Sequence, residues 1–477
     1  MNLGKYKHIV FSMATGSLLL VGLFLLLNVT SKVAHAAPDV LFVLPSGSGD
    51  CSQGNPCDLQ TALGTTSDGD TIYIAGGVYT GSGGAVVTVT HSLYLYGGWD
   101  GTMTMPVVRD PDVYPTTLDG EDMRRVVYIS GNISPTIDGL IVTGGKAPDG
   151  GGLYIYDASP IIQNNVITAN RTITSTYDDG RGGGIFVGWD SDAIITQNRI
   201  LSNTSGYGGG IYHNSNTAIT ITANEITDNT ASYRGGGILV ENAPDMIQNN
   251  VISGNSAEDD GGGMLIWNAA LQAEANHVVG NSAHVGGGFS LGNDATPSIL
   301  NNLIISNTKS AIYVSSSSPL VINNTIVGSG LTNSGYGFDL RSSSSCTPPY
   351  CTTGSIINNI VISYEIGIRG NGPITPVIDY NDVWGNITAD YSLPSSVVSG
   401  THNISLDPLF NNPAADDYHL QSGSPCVDAG DPVGVPPAPP TDIDGDTRPT
   451  GARVDIGADE FQFKVYFLPV VLRSYAP

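Results

Sequence analysis

Apolar residues recur at every second position in short segments that each follow three consecutive glycines. The first residue after each triplet is apolar: Leu153, Ile185, Ile211, Ile238, Met264 and Phe289. Two positions further on come Ile155, Val187, His213, Val240, Ile266 and Leu291. A period of two is typical of a β-strand with one buried face. We expect His213, the only polar member, to be a hydrogen-bonded histidine inside the core.

These segments belong to an internal repeat. The glycine triplets begin at Gly150, Gly182, Gly208, Gly235, Gly261 and Gly286. The pattern Asn-x-[Ile/Val]-x-x-Asn begins at Asn165, Asn198, Asn224, Asn250, Asn276 and Asn302, and its last four steps are each 26 residues. A fixed period of this length is typical of a solenoid, in which each repeat forms one coil that stacks on the next.

Each repeat also contains bends. The apolar residues before and after each pattern asparagine are an odd number of positions apart, so the chain must bend there to keep both inside. A second asparagine marks another bend: Asn170, Asn203, Asn229, Asn255, Asn281 and Asn307. Asparagine tolerates left-handed backbone and hydrogen-bonds locally, and stacked amides could bond to their equivalents in neighbouring coils. The glycines would form a corner too crowded for a Cβ atom.

The pattern therefore predicts an all-β chain in which residues 70–390 form a parallel β-solenoid. Each coil holds about three short strands, and roughly a dozen coils would give a rod about 60 Å long. The later segments "NNTIV" at Asn323 and "NNIVI" at Asn358 keep the bend but lose the glycines.

The motif "GGGI" followed by "I-x-x-N-x-I-x-x-N" resembles the right-handed, single-stranded parallel β-helix of pectin-lyase-like proteins. The segment "VLPSGSGDCSQGNPCDLQTALGTTSDGDTIYIAGGVYTG" at 43–81 is similar to the entry of such secreted proteins. The resemblance implies that residues 37–69 form an N-terminal cap, in which "LQTAL" is a short helix. Residues 391–461 resemble the C-terminal region of choice-of-anchor Q surface proteins in "DAGD", "DIDG" and "DIGADEF". The tail 462–477 is too short, and too interrupted by Pro469, to span a membrane.

The N-terminus is typical of an export signal. Lys5 and Lys7 precede the apolar stretch Leu18 to Leu27, and "AHA" at 34–36 predicts cleavage after Ala36. An uncleaved membrane anchor is the alternative, and either way the rest would be exported. In an oxidising compartment we expect local disulfides between Cys51 and Cys57 and between Cys346 and Cys351. Cys426 would remain a buried free thiol.

The charge excludes some classes of partner. The 477-residue chain has a formal net charge of −25, with 13% charged residues. It has no basic footprint for nucleic acid, and its acidity argues against anionic membranes while favouring divalent cations.

One candidate binding row comes just before the glycine triplets. Its members are Asp149, Arg181, Tyr207, Arg234, Asp260 and Val285. In a stack of coils they would be neighbours about 4.8 Å apart. They could form a surface salt-bridge row of little energetic value. Alternatively they line a groove for an anionic or neutral glycan, in which Arg181 and Arg234 bind carboxylates in bidentate fashion.

A second row lies beside it. Tyr154, Phe186 and Tyr212 occupy outward positions one coil apart, and we expect an exposed aromatic strip on which sugar rings stack. The insertion "RTITSTYDDGR" at 171–181 could cover the strip as a lid, or form a wall of the cleft.

Acidic residues gather at the same corner: Asp178, Asp179, Glu258, Asp259 and Asp260. The resemblance to pectate lyases implies that Asp178, Asp179, Asp259 and Asp260 could hold Ca²⁺. Arg181, Arg234 and Asp260 are then the catalytic candidates. No catalytic motif of pectate lyases or polygalacturonases matches residue by residue, so an enzyme is suggested by fold analogy alone. "DIDGD" at Asp442 resembles the start of a Ca²⁺ loop without its distal Glu, which favours a turn.

Three functions are compatible with these features. The first is an exported bacterial surface protein that binds carbohydrate or mediates adhesion, with a polysaccharide or cell-surface glycan as partner. The second is a lyase or glycosidase acting on an acidic polysaccharide. The third is a structural spacer. Clustered carboxylates with a free arginine would favour the enzyme, and a flat face the spacer.

Overall fold

The computed structural model describes residues 38–173, 180–331, 335–343, 346, 351–433 and 437–462. The chain divides into two units, residues 1–38 and residues 39–477. The predicted export signal lies outside the described residues. All elements below belong to the second unit.

In the described part of the chain, three long parallel sheets run along a solenoid. Each coil contributes one strand to each sheet in turn, so every strand pairs with its equivalents in the coils before and after it. Within a coil the chain passes from sheet 1 to sheet 2 and then to sheet 3. This confirms the predicted parallel β-solenoid of about a dozen coils.

The strands of sheet 1 are β1 (Val40–Val43), β2 (Thr71–Ala75), β5 (Tyr94–Trp99), β8 (Thr136–Asp138), β12 (Ile161–Gln163), β16 (Ile194–Thr196), β20 (Thr220–Thr222), β24 (Met246–Gln248), β28 (Gln272–Glu274), β31 (Ser298–Leu300), β34 (Leu320–Ile322), β37 (Ser355–Ile357) and β40 (Val377–Asp379). Those of sheet 2 are β3 (Gly77–Tyr79), β6 (Thr116–Asp119), β9 (Leu140–Thr143), β13 (Val166–Thr168), β17 (Arg199–Leu201), β21 (Glu225–Thr227), β25 (Val251–Ser253), β29 (His277–Val279), β32 (Leu303–Ile305), β35 (Thr325–Val327), β38 (Ile360–Ile362) and β41 (Asp382–Trp384).

Sheet 3 consists of β4 (Ala85–Val89), β7 (Arg125–Ile133), β11 (Leu153–Ala158), β15 (Ile185–Val187), β19 (Ile211–Asn214), β23 (Ile238–Glu241), β27 (Met264–Trp267), β30 (Phe289–Gly292), β33 (Ser310–Ser315), β36 (Tyr336–Arg341), β39 (Ile366–Asn371) and β42 (Ala389–Ser392). A short corner sheet between sheets 2 and 3 contains β10 (Lys146–Ala147), β14 (Arg171–Thr172), β18 (Thr204–Tyr207), β22 (Thr230–Arg234) and β26 (Ser256–Ala257).

Two ladders of buried asparagines hold the bends in register, as predicted. The first runs through Asn165, Asn198, Asn224, Asn250, Asn276, Asn302, Asn324, Asn359, Asn381 and Asn403. The second runs through Asn170, Asn203, Asn229, Asn255, Asn281 and Asn307. In each step the side-chain amide and the backbone N–H of one asparagine donate to Oδ1 of the next. The ladders therefore satisfy polar groups that would otherwise be buried without partners.

The bend itself differs in detail from the prediction. Left-handed backbone occurs at the residue before the ladder asparagine, with φ of 55° at Ala223, 55° at Asn249 and 52° at Ala275. The ladder residue keeps its side chain inside to bond along the stack. The residue before each ladder asparagine therefore adopts the left-handed backbone, and the ladder asparagine itself makes the amide hydrogen bonds.

The glycine triplets form the crowded corner that the sequence predicts. A Cβ atom on Gly236 would lie 2.5 Å from the carbonyl oxygens of both Gly262 and Ser256. These oxygens belong to the backbone of the next coil, so the coils can approach at their normal spacing only if this position has no side chain.

The interior is filled by the residues that alternate in the sequence. Leu153, Ile155, Ile185 and Val187 are buried in a single core that extends along the stack. His213 is fully buried, as predicted, and its Nδ1 lies 2.8 Å from Oδ2 of Asp245.

Both ends of the stack are covered. The helix α1 (Leu59–Leu63) buries Leu59 and Ala62 against the first coils, and Asp58 caps its N-terminus. Tyr391 and Leu393 pack against the core at the other end. The disulfides Cys51–Cys57 and Cys346–Cys351 are present, and Cys426 is a buried free thiol, as predicted.

The chain after the last coil also covers one side of the stack. It contains an antiparallel pair, β43 (Phe410–Asn412) and β44 (Asp417–Leu420), joined by a 3-10 helix (Pro413–Ala415). Phe410, Cys426 and Ile456 pack on the outer face of sheet 2 against residues such as Ile305 and Ile360. "DIDGD" forms a turn, as expected, because Oδ1 of Asp442 accepts hydrogen bonds from the backbone N–H groups of Asp444 and Asp446.

Candidate functional site

The outer face of sheet 3 carries a continuous row of side chains, one per strand. In chain order the row is Thr88, Tyr128, Tyr154, Phe186, Tyr212, Leu239, Leu265, Ser290, Tyr313, Asp339, Arg369 and Ser392. The predicted aromatic strip is therefore on the predicted face and in the predicted order.

The expected exposure of the strip is wrong. The rings of Tyr154 and Phe186 stack with their centroids 4.8 Å apart, and those of Phe186 and Tyr212 stack at 5.6 Å. Each ring therefore covers the faces of its neighbours, and only 7% of Phe186 and 4% of Tyr212 is exposed. The strip is a small outer hydrophobic cluster, and its ring faces are not open to a sugar.

Tyr212 is also held by polar contacts. Its hydroxyl donates to Oε2 of Glu241 at 2.6 Å, and Nδ2 of Asn214 donates to the same oxygen at 3.0 Å. Burial, together with the Glu241 carboxylate, raises the pKa of the Tyr212 hydroxyl. This side chain is a structural member of the sheet.

The residues just before the glycine triplets lie next to one another in successive coils, as predicted. They pair from coil to coil, from Asp149 through Arg181, Tyr207, Arg234 and Asp260 to Val285. The guanidinium of Arg181 lies 5.9 Å from the ring centroid of Tyr212, so the first row borders the second. The two predicted rows form one continuous surface.

A depression of about 340 Å³ opens in this surface beyond the aromatic strip. Its lining includes Arg234, Asp260, Trp267, Ser290, Gly292 and Tyr313. Trp267 leans over Gly292, where a Cβ atom would lie only 2.7 Å from the indole ring. Trp267 and Tyr313 are two strands apart in the sheet, about 10 Å along the stack, and the smaller Ser290 and Gly292 lie between them.

The two aromatic residues of the depression have matching polar partners. Nε of Arg234 lies 3.1 Å from the Asp260 carboxylate, and its guanidinium lies 5.3 Å from the Trp267 ring centroid. Near Tyr313, Nη2 of Arg341 lies 2.8 Å from the Asp339 carboxylate.

The Arg341 guanidinium also lies 5.5 Å from the Tyr313 ring centroid. Each of the two rings thus has an arginine beside it that is paired with a carboxylate. Arg234 and Asp260 line the depression, whereas Arg341 and the buried Asp339 do not.

Two of the catalytic candidates, Arg234 and Asp260, are therefore paired with each other. Burial raises the pKa of the Asp260 carboxyl, although the Arg234 charge beside it acts in the opposite direction. The third candidate, Arg181, is exposed at the border of the face.

The calcium prediction is not tested. Asp178 and Asp179 lie outside the described residues, as does most of the insertion predicted as a lid. Among the residues that are described, Asp259 and Asp260 join no group of three possible metal ligands.

Sequence reasoning missed Trp267, Tyr313, Asp339 and Arg341. Trp267 is in the repeat, but it lies one position after Met264 and Ile266, the alternating apolar pair of its coil. The other three lie in later coils that lack the glycine triplet, so their register could not be counted from it. The alternation "AIYVS" at 311–315 was the available signal.

The family was established by comparison with known proteins. A model described as "Right handed beta helix region" matches residues 121–283 and 227–361, together slightly more than half of the chain. The chain belongs to this right-handed β-helix family. The handedness agrees with the predicted fold. No curated protein sequence matches the chain.

Several solved structures are similar to this β-helix. Pectate lyase Pel9A matches with a TM-score of 0.47 and 12% identity, over 90% of this chain and 97% of that one. The PL6 family alginate lyase AlyGC matches with a TM-score of 0.34 and 12% identity, over 78% and 54%. A double mutant of the tailspike protein of E. coli bacteriophage HK620, in complex with a pentasaccharide, matches with a TM-score of 0.24 and 11% identity, over 71% and 60%.

No helix in the described part of the chain is long and apolar enough to cross a membrane.

Proposed function

We propose that this β-helix binds a carbohydrate polymer on the outer face of sheet 3, in the depression between Trp267 and Tyr313. The observation that carries the proposal is the arrangement of two aromatic rings about 10 Å apart along the stack, with small residues between them. Aromatic faces suit the apolar C–H surfaces of sugar rings, and Arg234 and Asp260, which line the depression, suit sugar hydroxyls.

The charges of the site favour a neutral polymer over a strongly acidic one. Arg234 already has the Asp260 carboxylate as a partner, so it is not free to neutralise a uronate in the way expected from the sequence. Arg341, beside Tyr313, is paired with Asp339 in the same way. The chain as a whole has a formal net charge of −25, which repels polyanions over longer distances.

We further propose that the protein works outside the cell or at its surface. The support is the export signal with its expected cleavage after Ala36, together with two disulfides that form in oxidising compartments. The resemblance of residues 391–461 to choice-of-anchor Q proteins agrees with this location. N-terminal sequencing of the mature protein tests the cleavage, and a chain that retains Lys5 and Lys7 would contradict it.

The binding proposal is tested with two variants of the depression, Trp267→Ala and Tyr313→Ala. We expect each to weaken binding to the best ligand from a panel of neutral and acidic polysaccharides by about tenfold or more, since truncation of a central aromatic side chain often costs over 1 kcal/mol. Titration calorimetry measures the affinity, and thermal unfolding of each variant checks that it is folded.

The matched control is Tyr94→Ala. Tyr94 is 44% exposed and stacks on a neighbouring tyrosine, but it lies on the outer face of sheet 1. Its removal should leave the affinity unchanged. If the wild-type protein binds no member of the panel, or if the Tyr94 variant loses as much affinity as the Trp267 variant, the proposal is wrong and a structural spacer is favoured.

A lyase or glycosidase is the second candidate function. The observation in its favour is Asp260, a carboxyl group of raised pKa at the edge of the depression, because a general acid needs such a shift. Incubation with polygalacturonate and alginate, with and without Ca²⁺, would then release unsaturated products that absorb ultraviolet light, or new reducing ends.

A further inference from the structure

A second cluster of side chains lies far along the chain, in the segment that covers sheet 2. His419 is on β44, Asp444 is in the turn at 442–446, and Asp459 follows near the end of the described chain. Each offers one nitrogen or carboxylate oxygen, and these three atoms all lie within 4.8 Å of one another. Among the described residues this is the group of His, Cys, Asp and Glu side chains that comes closest to a metal-binding set.

The imidazole of His419 is already oriented. Its Nδ1 lies 2.6 Å from Oδ1 of Asp417, and its Nε2 lies 2.8 Å from Oδ2 of Asp444. A carboxylate on one ring nitrogen is the usual arrangement behind metal-binding histidines. Here Asp417 holds Nδ1 and directs Nε2, the nitrogen that contacts Asp444, towards the cluster.

Asp459 supplies an independent observation. Only 8% of this residue is exposed, and Oδ2 of its carboxylate accepts a hydrogen bond from the backbone N–H of Leu420 at 2.7 Å. Within the described parts of the chain, its other oxygen has no hydrogen-bond partner. Burial of most of a carboxylate is costly unless a cation or hydrogen-bond donors meet it.

We propose that His419, Asp444 and Asp459 bind a divalent transition-metal ion, with Asp417 as the residue that positions His419. Imidazole with carboxylates suits Zn²⁺ and its neighbours, whereas Ca²⁺ and Mg²⁺ prefer ligand sets made only of oxygen. Three protein ligands and one water would complete a tetrahedral Zn²⁺ site. The metal takes the place of the proton between Nε2 of His419 and Asp444, so binding releases a proton.

The site is open to solvent and joins separate parts of the chain. The side chains of His419 and Asp444 are about half exposed, and Asp444 also lines a neighbouring depression of about 320 Å³. A metal bound here would fasten the β43–β44 pair to the turn at 442–446 and to Asp459. Its effect would be to stabilise the segment that covers sheet 2.

The test is titration of the full chain, prepared without an affinity tag, with Zn²⁺ alone and with Ca²⁺ alone. We expect one Zn²⁺ ion to bind with micromolar affinity, Ca²⁺ to bind at least tenfold more weakly, and Zn²⁺ to raise the temperature of unfolding. His419→Gln and Asp444→Asn should each weaken Zn²⁺ binding at least tenfold. Co²⁺ in the same site should give the visible absorption bands of tetrahedral coordination.

His402→Gln is the matched control. Nδ1 of His402 lies 2.9 Å from Oδ2 of Asp379, and the side chain is 55% exposed, like that of His419. This histidine lacks a second carboxylate at Nε2 among the hydrogen bonds of the described structure, so its loss should not affect Zn²⁺ binding. Failure of the wild type to bind Zn²⁺ at micromolar concentration overturns the proposal. Equal Zn²⁺ affinity of the His419→Gln and His402→Gln variants also overturns it. If His419→Gln does not fold, the same comparison is made between Asp444→Asn and His402→Gln.

Discussion

At the scale of single residues, asparagine has the most specialised role in this protein. Asn250 is fully buried, and its Oδ1 accepts from both the backbone N–H and Nδ2 of Asn224. Its own Nδ2 donates to the backbone oxygen of Ile221 and to Oδ1 of Asn276. Only a side chain with a donor and an acceptor on one short stem can bond to the coil on either side of it.

Asn250→Ala should therefore be strongly destabilising. It leaves the N–H of Asn224 and the oxygen of Ile221 buried without partners, so we expect a loss of roughly 3–6 kcal/mol in the free energy of unfolding. Chemical denaturation measures it. Asn249→Ala is the control, since alanine occupies the equivalent left-handed position at Ala223 and Ala275. A similar loss in both variants would mean that the ladder is not a major source of stability.

At the scale of elements, the strands are too short to be stable alone and depend on coil stacking. Most strands of sheets 1 and 2 have three residues, and each pairs with strands from the coils before and after it. Close approach at the glycine corner keeps the backbone hydrogen bonds continuous between coils, as in the bond from the N–H of Gly236 to the oxygen of Gly261 at 3.0 Å.

Gly236→Ala tests the importance of that corner. The added Cβ would meet backbone atoms of the next coil at 2.5 Å, so we expect a loss of about 3 kcal/mol or more in unfolding free energy. Gly280→Ala is matched to it. Gly280 has a positive φ, but a Cβ there meets nothing within 4 Å, and Ala169 adopts the same backbone in another coil. Its cost should be about 1 kcal/mol. Equal melting temperatures for the two variants would contradict the steric argument.

At the scale of the whole molecule, the stack is completed by a chain segment that folds back along its side. Asp382, in the strand β41 of sheet 2, accepts a hydrogen bond from the N–H of Leu406 and contacts the thiol of Cys426 at 3.2 Å. The carboxyl is buried, and burial raises its pKa to about 6, well above the ordinary range of an aspartate. This junction therefore contains a carboxyl group that is more easily buried in its protonated form.

The raised pKa gives a pH dependence of definite sign. The stability contributed by Asp382 is fully present below the unfolded pKa, near pH 4, and is lost as the pH rises through about 6. The loss should reach about 3 kcal/mol. Asp382→Asn should remove this part of the decline between pH 4 and pH 8, as measured by urea unfolding. Asp112→Asn, which removes an exposed charge, should decline like the wild type. If both variants behave alike, the decline comes from the net charge instead.

The sequence alone determined the architecture of this protein, because successive coils of the solenoid repeat the same pattern of residues. The strand alternation, the 26-residue spacing, the asparagine bends and the glycine corner are all local or periodic, so their registers could be counted from the printed residues. The same counting predicted that Tyr154, Phe186 and Tyr212 face outward and that Arg234 neighbours Asp260. The local cysteine spacings predicted both disulfides for a similar reason.

Only the tertiary structure decided which outward residues are accessible. Phe186 faces outward but is buried, because stacked rings cover one another at the spacing of the strands. The depression between Trp267 and Tyr313 forms because Ser290 and Gly292 are small. Tyr313 lies in a coil that has no glycine triplet from which its register could be counted. His419, Asp444 and Asp459 meet only because the C-terminal segment folds back on itself and along the stack. Side-chain bulk and the path of a non-repeating segment act between distant parts of the chain, and no periodic pattern encodes them.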